Sequence, residues 1–172
     1  MTDAAASALD SLLVWTLGDD ALAETASLTA LRAGRAMVLD FWTSKCVKCP
    51  AALERLNEEA AEADKEVVFV SCALSQGEGN KGLIADMVGD WEHLTHTFLD
   101  LEHKEAAKAA FGFAAVPFYV VLSADGRVLA AEGPKAPDFA ALLAAADAGE
   151  AAAEADVPAP ATSDVFTLDE DF

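Results

Sequence analysis

Two cysteines spaced C-x-x-C, Cys46 and Cys49, follow closely behind a near-continuous apolar run from Ala36 to Trp42. A run of this kind predicts a strand that is buried on both faces. From Cys46 to about Asp64 the apolar residues recur at helical spacing, which predicts a helix. A buried strand that leads through a cysteine pair into a helix favours a fold of alternating strands and helices, with redox or metal chemistry at the junction.

The remainder of the chain continues this alternation and ends it with a hairpin. Ser27 is a candidate N-cap for a short helix that stops at Gly34, and residues 12–15 are either a strand or the end of a helix. The pair Asp125-Gly126 is a turn signal between two strands. Further strands are predicted at 66–74, 95–99, 118–122 and 128–131, and further helices at 81–91, 102–111 and 137–148. This order predicts a mixed α/β layer fold, with one domain over residues 1–148.

The chain of 172 residues carries a net charge of −19, from 11 basic and 30 acidic side chains. Because such a charge repels phosphate backbones and anionic lipids, neither nucleic acid nor a membrane is an expected partner. No apolar run approaches the roughly 20 residues that a membrane span needs. Residues 1–10 lack the basic residues and the apolar stretch of a secretory signal, so a cytoplasmic location is predicted.

The cysteine pair has the features of a reactive dithiol. Unpaired backbone N–H groups and the helix dipole at a helix start stabilise a thiolate, and Lys45 and Lys48 add positive charge. Since exchange proceeds through the thiolate, Cys46 is predicted to be the exposed attacking sulfur of low pKa, and Cys49 the protected resolving sulfur. Asp40 lies on the buried strand, where burial is expected to raise its pKa and to suit it to relay the proton of the resolving thiol.

A zinc site is the alternative interpretation of a lone C-x-x-C pair. A structural zinc needs four ligands, and the remaining candidates are Cys72, His93, His96 and His103. Cys72 lies in the middle of a predicted buried strand, which favours an inert core cysteine. The histidines are expected at the surface or at helix ends. The sequence therefore favours redox chemistry over zinc, with no metal and no cofactor.

The motif and its setting resemble those of the thioredoxin-like superfamily. The segment Val38–Trp42 before the cysteine pair is similar to the thioredoxin active-site strand, and Ala115–Phe118 resembles the segment that carries the family's cis-proline. Residues 27–35 and 125–128, and an added helix and strand between 79 and 100, are more similar to the TlpA/ResA and nucleoredoxin-like branch. The resemblance covers residues 12–148 and implies a thioredoxin-like three-layer α/β/α sandwich with a mixed central sheet.

By position, the resemblance implies that Cys46 is the nucleophile, Cys49 the resolving thiol and Asp40 the buried acid. It also implies a cis bond between Val116 and Pro117. The predicted substrate-binding residues are Trp42, which supports the loop, Lys45, Val116 and Pro117. The chain departs from the family pattern where Lys45 replaces the usual tryptophan, Val47-Lys48 replaces Gly-Pro, and residues 67–72 hold no lysine. These departures bear on substrate choice and redox potential.

The last part of the chain has a different composition. Residues 149–164 are rich in Ala, Glu and Pro without periodicity, which predicts a flexible acidic linker. In the docking peptide predicted at 165–172, Phe166-Thr167-Leu168-Asp169-Glu170-Asp171-Phe172 resembles the C-terminal peptide of the class I ribonucleotide reductase small subunit, from which only Glu170 departs. The resemblance implies docking on the large subunit through Phe166, Leu168, Asp169, Asp171 and Phe172. An acidic solvated tail is the alternative.

The sequence thus predicts a thiol–disulfide oxidoreductase, and more specifically a protein-disulfide reductase that uses a Cys-Val-Lys-Cys dithiol. Its expected partners are protein disulfide substrates and an upstream dithiol reductant. The tail is predicted to tether it to the large subunit of ribonucleotide reductase. Two alternatives remain open. One is a general nucleoredoxin-like reductase whose tail is irrelevant, and the other is a non-catalytic regulator that occupies the small-subunit docking site.

Overall fold

The computed structural model describes residues 13–16, 25–63, 65–77, 80–147 and 166–167. The strands are β1 Leu13–Thr16, β2 Thr25–Ser27, β3 Ala36–Trp42, β4 Val67–Leu74, β5 Thr95–Leu99, β6 Ala115–Val116, β7 Phe118–Leu122, β8 Val128–Glu132 and β9 Phe166–Thr167. The helices are α1 Leu28–Arg32, α2 Cys49–Glu62, α3 Asn80–Met87, α4 Leu101–Phe111 and α5 Phe139–Asp147, and a 3₁₀ turn, Val88–Asp90, continues α3.

One mixed sheet of seven strands, in the order β2-β1-β5-β4-β3-β7-β8, forms the middle of the fold. The central strand β3 pairs in parallel with β4 and antiparallel with β7. The β4–β5 pair is also parallel, and the outer pairs are antiparallel. β3 and β4 are buried along almost their whole length, as their continuous apolar sequences predict.

Helices cover both faces of this sheet. On one face the Phe139 ring of α5 lies 6.4 Å, centroid to centroid, from Phe69 of β4. On the other face the Phe111 ring of α4 lies 5.9 Å from Phe41 of β3. Phe69 of β4 is paired with Val38 of β3, which lies three positions before Phe41. Because successive strand residues point to opposite faces, Phe69 and Phe41 lie on opposite faces of the sheet. The architecture is therefore the predicted three-layer α/β/α sandwich with a mixed central sheet.

The structure differs from the prediction at the start of α2. The sequence predicts a helix from Cys46, whereas α2 begins at Cys49 and Cys46 lies in the loop before it. Pro50 explains the later start, because its fixed φ and missing N–H suit the first turn of a helix and not its interior. The predicted short helix does form, and Ser27 Oγ accepts a hydrogen bond from Ala30 N over 3.1 Å to cap α1.

Three short strands, β2, β6 and β9, are absent from the prediction, because strands of two or three residues show no periodicity. The proposed linker at 149–164 lies outside the described residues. Within the described ranges no helix is long and apolar enough to span a lipid bilayer.

Candidate active site

Cys46 and Cys49 form a disulfide between the end of β3 and the start of α2, with 5.4 Å between their Cα atoms. Cys46 is 2% exposed and Cys49 is fully buried, whereas Val47 between them is 88% exposed. The oxidised pair therefore reaches the surface only through a small part of Cys46, beside an apolar side chain. Disulfide sulfurs do not titrate, so the exposure and low pKa expected for reduced Cys46 stay predictions.

The loop that carries the pair is held by Gln76, a residue that sequence analysis does not single out. The Gln76 side-chain oxygen accepts hydrogen bonds from Ser44 Oγ over 2.8 Å and from Lys45 N over 3.1 Å. Within the loop, Cys46 N donates to Thr43 O over 3.2 Å. Gln76 follows β4, the parallel neighbour of β3, so the fold delivers it to the edge of the sheet where β3 ends.

A buried lysine of α4 supports the segment that contains Gln76. Lys104 of α4 is fully buried, and its Nζ donates to Ser75 O over 2.8 Å. Burial lowers the pKa of Lys104 to about 8. The sequence contains a signal for this residue, because Lys104, Ala107 and Phe111 recur at the spacing of one helix face, and all three are buried.

Val116, which precedes Pro117, lies close to the disulfide. The Val116 carbonyl oxygen is 3.8 Å from Cys46 Sγ, and the Val116–Pro117 bond is cis, as predicted. Gly133, which precedes a second cis-proline, packs closely behind this segment. A Cβ atom at Gly133 would overlap the Pro117 carbonyl oxygen and lie 3.0 Å from Phe118 Cα, so the close approach requires glycine.

Asp40 is a buried residue of the central strand β3, as the sequence predicts. Its side chain is fully buried, and neither carboxylate oxygen has a hydrogen-bond partner among the described residues. Burial raises the pKa of Asp40 well above its usual range. Burial, together with a smaller contribution from the Asp40 charge, also raises the pKa of Tyr119. The central strand β3 therefore carries a carboxyl group that holds its proton more tightly than an exposed aspartate.

The residues predicted to bind substrate occupy different environments. Trp42 is fully buried, and its ring lies edge-on to Trp91 with 6.1 Å between centroids. Trp42 is therefore part of the core and is not exposed to a substrate in this structure. Lys45 is exposed beside the disulfide, and Pro117 lines a cavity next to it.

The third cysteine is part of the core. Cys72 is free and fully buried, and Thr97 Oγ1 donates to its Sγ over 3.2 Å. Burial raises the pKa of Cys72 to about 12, so its thiolate is strongly disfavoured. These properties agree with the expected inert core cysteine.

His96 differs from the expectation of a surface residue. It is half-buried in β5, its Nδ1 lies 2.6 Å from Ser71 Oγ, and its Nε2 lies 2.7 Å from Trp91 O. Burial lowers the pKa of His96. His103 is at a helix end, as expected, with Asp100 Oδ1 2.8 Å from its Nδ1. In the part of the chain that the structure describes, no group of three or more His, Cys, Asp or Glu side chains is placed to hold a metal ion.

Of the predicted partner-binding residues, the structure describes only Phe166, which forms β9 with Thr167. β9 pairs antiparallel with β6, in the register Val116↔Phe166 and Ala115↔Thr167. The backbone of this part of the tail therefore runs beside the segment that faces the disulfide. Leu168, Asp169, Asp171 and Phe172 lie outside the described residues.

Solved structures with the same fold include several disulfide oxidoreductases. The thioredoxin domain of a Bacteroides vulgatus thiol-disulfide oxidoreductase has a TM-score of 0.61 and 14% identity, over 76% of this chain and 89% of that one. MTB DsbF in its mixed oxidised and reduced forms has a TM-score of 0.61 and 21% identity, over 78% and 97%. A secreted Mycobacterium tuberculosis disulfide oxidoreductase homologous to E. coli DsbE has a TM-score of 0.58 and 24% identity, over 83% and 98%. At these identities the similarity concerns the fold.

The sequence comparison adds the family. No curated protein matches the chain closely enough to count as a relative. The model of the thioredoxin-like family matches residues 34–128, which include the cysteine pair, Asp40 and the cis-proline segment and make up more than half of the chain. The chain therefore belongs to the thioredoxin-like family, with its C-x-x-C pair at Cys46 and Cys49.

Proposed function

We propose that this chain is a protein-disulfide reductase whose redox-active pair is Cys46 and Cys49. The observation that carries the proposal is the disulfide itself, which closes between β3 and α2 with Cys46 Sγ 3.8 Å from the Val116 carbonyl oxygen. A pair that forms a disulfide within one loop can exchange electrons with a partner by thiol–disulfide exchange. Membership of the thioredoxin-like family supports the same chemistry.

The proposed reaction begins with the reduced protein. The Cys46 thiolate attacks one sulfur of a substrate disulfide, a bond forms between Cys46 and the substrate, and the second substrate sulfur leaves as a thiolate. Cys49 then loses its proton and attacks Cys46 Sγ, which closes the Cys46–Cys49 disulfide and releases the first substrate sulfur as a thiolate. The substrate gains two electrons and takes up two protons, and an external dithiol reduces the pair again.

Asp40 is the proposed proton acceptor for Cys49. Burial raises the pKa of Asp40, so its ionised form is a stronger base than an exposed carboxylate and can take up the proton of the resolving thiol inside the protein. Val116 and Pro117 are the proposed contacts for the substrate backbone, and Lys45 adds a positive charge beside the pair. Trp42 positions the loop from the core.

The reducing direction follows from a proposed cytoplasmic location, because thiol pools in that compartment keep dithiols reduced. Equilibration with glutathione buffers tests the direction. A reduction potential near that of thioredoxin, about −270 mV, is expected, and a value near that of DsbA, about −120 mV, would instead assign an oxidant.

Turnover of a model protein disulfide with dithiothreitol as electron donor tests the proposal. The wild type should accelerate the reduction, Cys46→Ser should abolish the acceleration, and Cys49→Ser should accumulate a mixed disulfide with the substrate. Cys72→Ser is the matched control and should retain activity, because Cys72 is buried with a raised pKa. Acceleration that survives Cys46→Ser would refute the proposal.

Alkylation of the reduced protein at mildly acidic pH tests which sulfur attacks. Mapping of the label by mass should find it on Cys46, because a thiolate reacts and a thiol does not. Preferential labelling of Cys49 or Cys72 would refute the assigned roles.

We further infer that residues 165–172 bind the large subunit of ribonucleotide reductase. The support is the resemblance of Phe166-Thr167-Leu168-Asp169-Glu170-Asp171-Phe172 to the docking peptide of that enzyme's small subunit. The large subunit has an active-site disulfide that must be reduced again in each turnover, and a tethered dithiol would meet it at about millimolar effective concentration. Phe166 and Phe172 are the expected anchors, because buried aromatic side chains dominate small interfaces.

Titration of the large subunit with a labelled peptide of residues 165–172 tests this docking. The peptide should bind in the micromolar range, the small subunit's own peptide should compete, and Phe172→Ala should weaken binding about tenfold or more. Raised salt should slow association, because Asp169 and Asp171 steer it. Failure to bind, or binding without competition, would leave a reductase without this tether.

A further inference from the structure

We propose that a cationic cavity beside the disulfide binds acidic side chains of the substrate polypeptide, so that cysteines flanked by acidic residues are the preferred targets. The proposal deepens the proposed function and rests on it for the redox step. The cavity has a volume of about 450 Å³. It lies between the start of α2, the cis-proline segment and the residues that lead into α5.

Two residues that line the cavity are neighbours, in the chain, of groups at the redox pair. Lys48, which lies between the two cysteines, lines it, and so does Pro117, which follows the Val116 carbonyl next to Cys46 Sγ. Much of the remaining lining is apolar and includes Leu56 and Phe139. A polypeptide whose cysteine reaches Cys46 therefore has its neighbouring residues within reach of this cavity.

The charge of the cavity is opposite to that of the whole chain. Lys48, Arg55 and Lys135 line it, against a single carboxylate, Glu59. The chain as a whole has 11 basic and 30 acidic residues. Burial, and then the nearby charge of Asp138, raise the pKa of Glu59, while the charge of Arg55 lowers it.

The three cations are available to a ligand. All three side chains are exposed, and the ion pairs found within the described ranges are His103–Asp100 and Lys108–Glu105. Lys48, Arg55 and Lys135 therefore have no carboxylate within 4.0 Å among the described residues. Carboxylates of a ligand are the complementary groups.

An extended polypeptide is the ligand that the neighbouring backbone fits. β6, which leads into Pro117, already accepts one antiparallel strand, Phe166–Thr167 of the same chain. That strand belongs to a sequence rich in carboxylates, since residues 149–172 contain acidic residues and no lysine or arginine. A substrate strand that displaces Phe166–Thr167 and pairs with β6 would lie beside Pro117, which lines the cationic cavity.

Binding without exchange chemistry is the first test. Two labelled peptides of equal length carry serine in place of cysteine, and they differ only in flanking residues, Asp and Glu in one and Asn and Gln in the other. Fluorescence anisotropy with the oxidised full-length protein should show about three- to tenfold tighter binding of the acidic peptide at low salt. High salt should reduce this ratio, because the charges are exposed and screened. Equal binding of the two peptides at low salt would overturn the proposal.

Charge-reversal variants identify the cavity as the source of the preference. Lys135→Glu should abolish or invert the ratio. Lys65→Glu makes the same change of net charge just before β4, at the end of the sheet opposite the disulfide, and should leave the ratio unchanged. A ratio that Lys135→Glu leaves intact, or that Lys65→Glu removes equally, would assign the preference to overall charge and overturn the proposal.

Reduction of disulfide-containing versions of the two peptides separates this proposal from the proposed function. The reduced protein should attack the acidic version faster, by the same three- to tenfold ratio as in binding. If both versions react equally fast and bind equally, the cavity assignment fails and the reductase assignment stands. If neither version reacts but the acidic peptide binds more tightly, the reductase assignment fails and the cavity assignment stands.

Discussion

Replacement of Asp40 by asparagine should stabilise the oxidised protein at neutral and alkaline pH and leave it nearly unchanged in acid. Asp40 is fully buried, and its two oxygens have no hydrogen-bond partner among the described residues. Burial raises the pKa of Asp40 because the ionised form is disfavoured away from water. Asparagine has almost the same shape and carries no charge.

The sign of the effect follows from the protons bound in each state. Below about pH 3.9, the pKa of aspartate in an unfolded chain, Asp40 is protonated in both states, and the free energy of unfolding carries no ionisation cost. As pH rises from there to the raised pKa of the folded state, the folded protein keeps a proton that the unfolded chain has lost. Stability of the wild type therefore falls over this range, and the asparagine variant lacks that decline.

The magnitude follows from the charge that asparagine lacks. A neutral buried polar group without a partner costs about 1–3 kcal/mol in either protein, and an ionised one costs more. At about pH 8 the variant should therefore exceed the wild type by about 1–3 kcal/mol in free energy of unfolding, or about 2–12 °C in Tm for a chain of this size. At about pH 3 the difference should be within about 0.5 kcal/mol, since both side chains are then neutral.

Urea unfolding of the two oxidised proteins, followed by tryptophan fluorescence across this pH range, measures the difference. A gap between variant and wild type that does not change with pH would refute the reasoning, because it would mean that the carboxyl does not ionise differently in the folded state. A stability difference that shrinks as pH rises would contradict the predicted direction of the pH dependence.

Three further changes test other parts of the site and core. Gly133→Ala should slow reduction of a model disulfide about tenfold or more, because the added Cβ displaces Pro117 next to Cys46; an unchanged rate would show that the segment tolerates the shift. Lys104→Met should remove a rise in stability between about pH 8 and about pH 10.4, where the folded wild type has lost the lysine proton and the unfolded chain has kept it; parallel pH profiles of the two proteins would argue against the buried ammonium. Leu53→Ala should lower the free energy of unfolding by about 2–5 kcal/mol in urea titrations, because the side chain is fully buried, and a loss below about 1 kcal/mol would place it outside the core.

Two of the central strands, β3 and β7, are predictable to the residue. Ala36–Trp42 and Phe118–Leu122 have in the structure the bounds that their apolar runs predict. Such strands are buried on both faces, so nearly every side chain in them must be apolar. The start of α2 is not predictable in this way. The helical spacing of apolar residues extends back to Cys46, whereas Pro50 places the first turn of the helix at Cys49. The strands β6 and β9 are not predictable from periodicity either, since a strand of two residues is defined only by its pairing with a partner.

The chemistry of the pair follows from the amino-acid sequence alone, because two cysteines at this spacing after a buried strand leave few alternatives. The surroundings of the pair do not. Gln76, Lys104 and Gly133 come from separate segments, and each acts on the cysteine loop or on Pro117 only after the sheet has assembled. The net charge of −19 likewise does not predict a cavity that is lined by three cations and one carboxylate. Periodicity and propensity report interactions between near neighbours in the chain, whereas contacts between distant segments depend on strand register and helix packing, which only the tertiary structure determines.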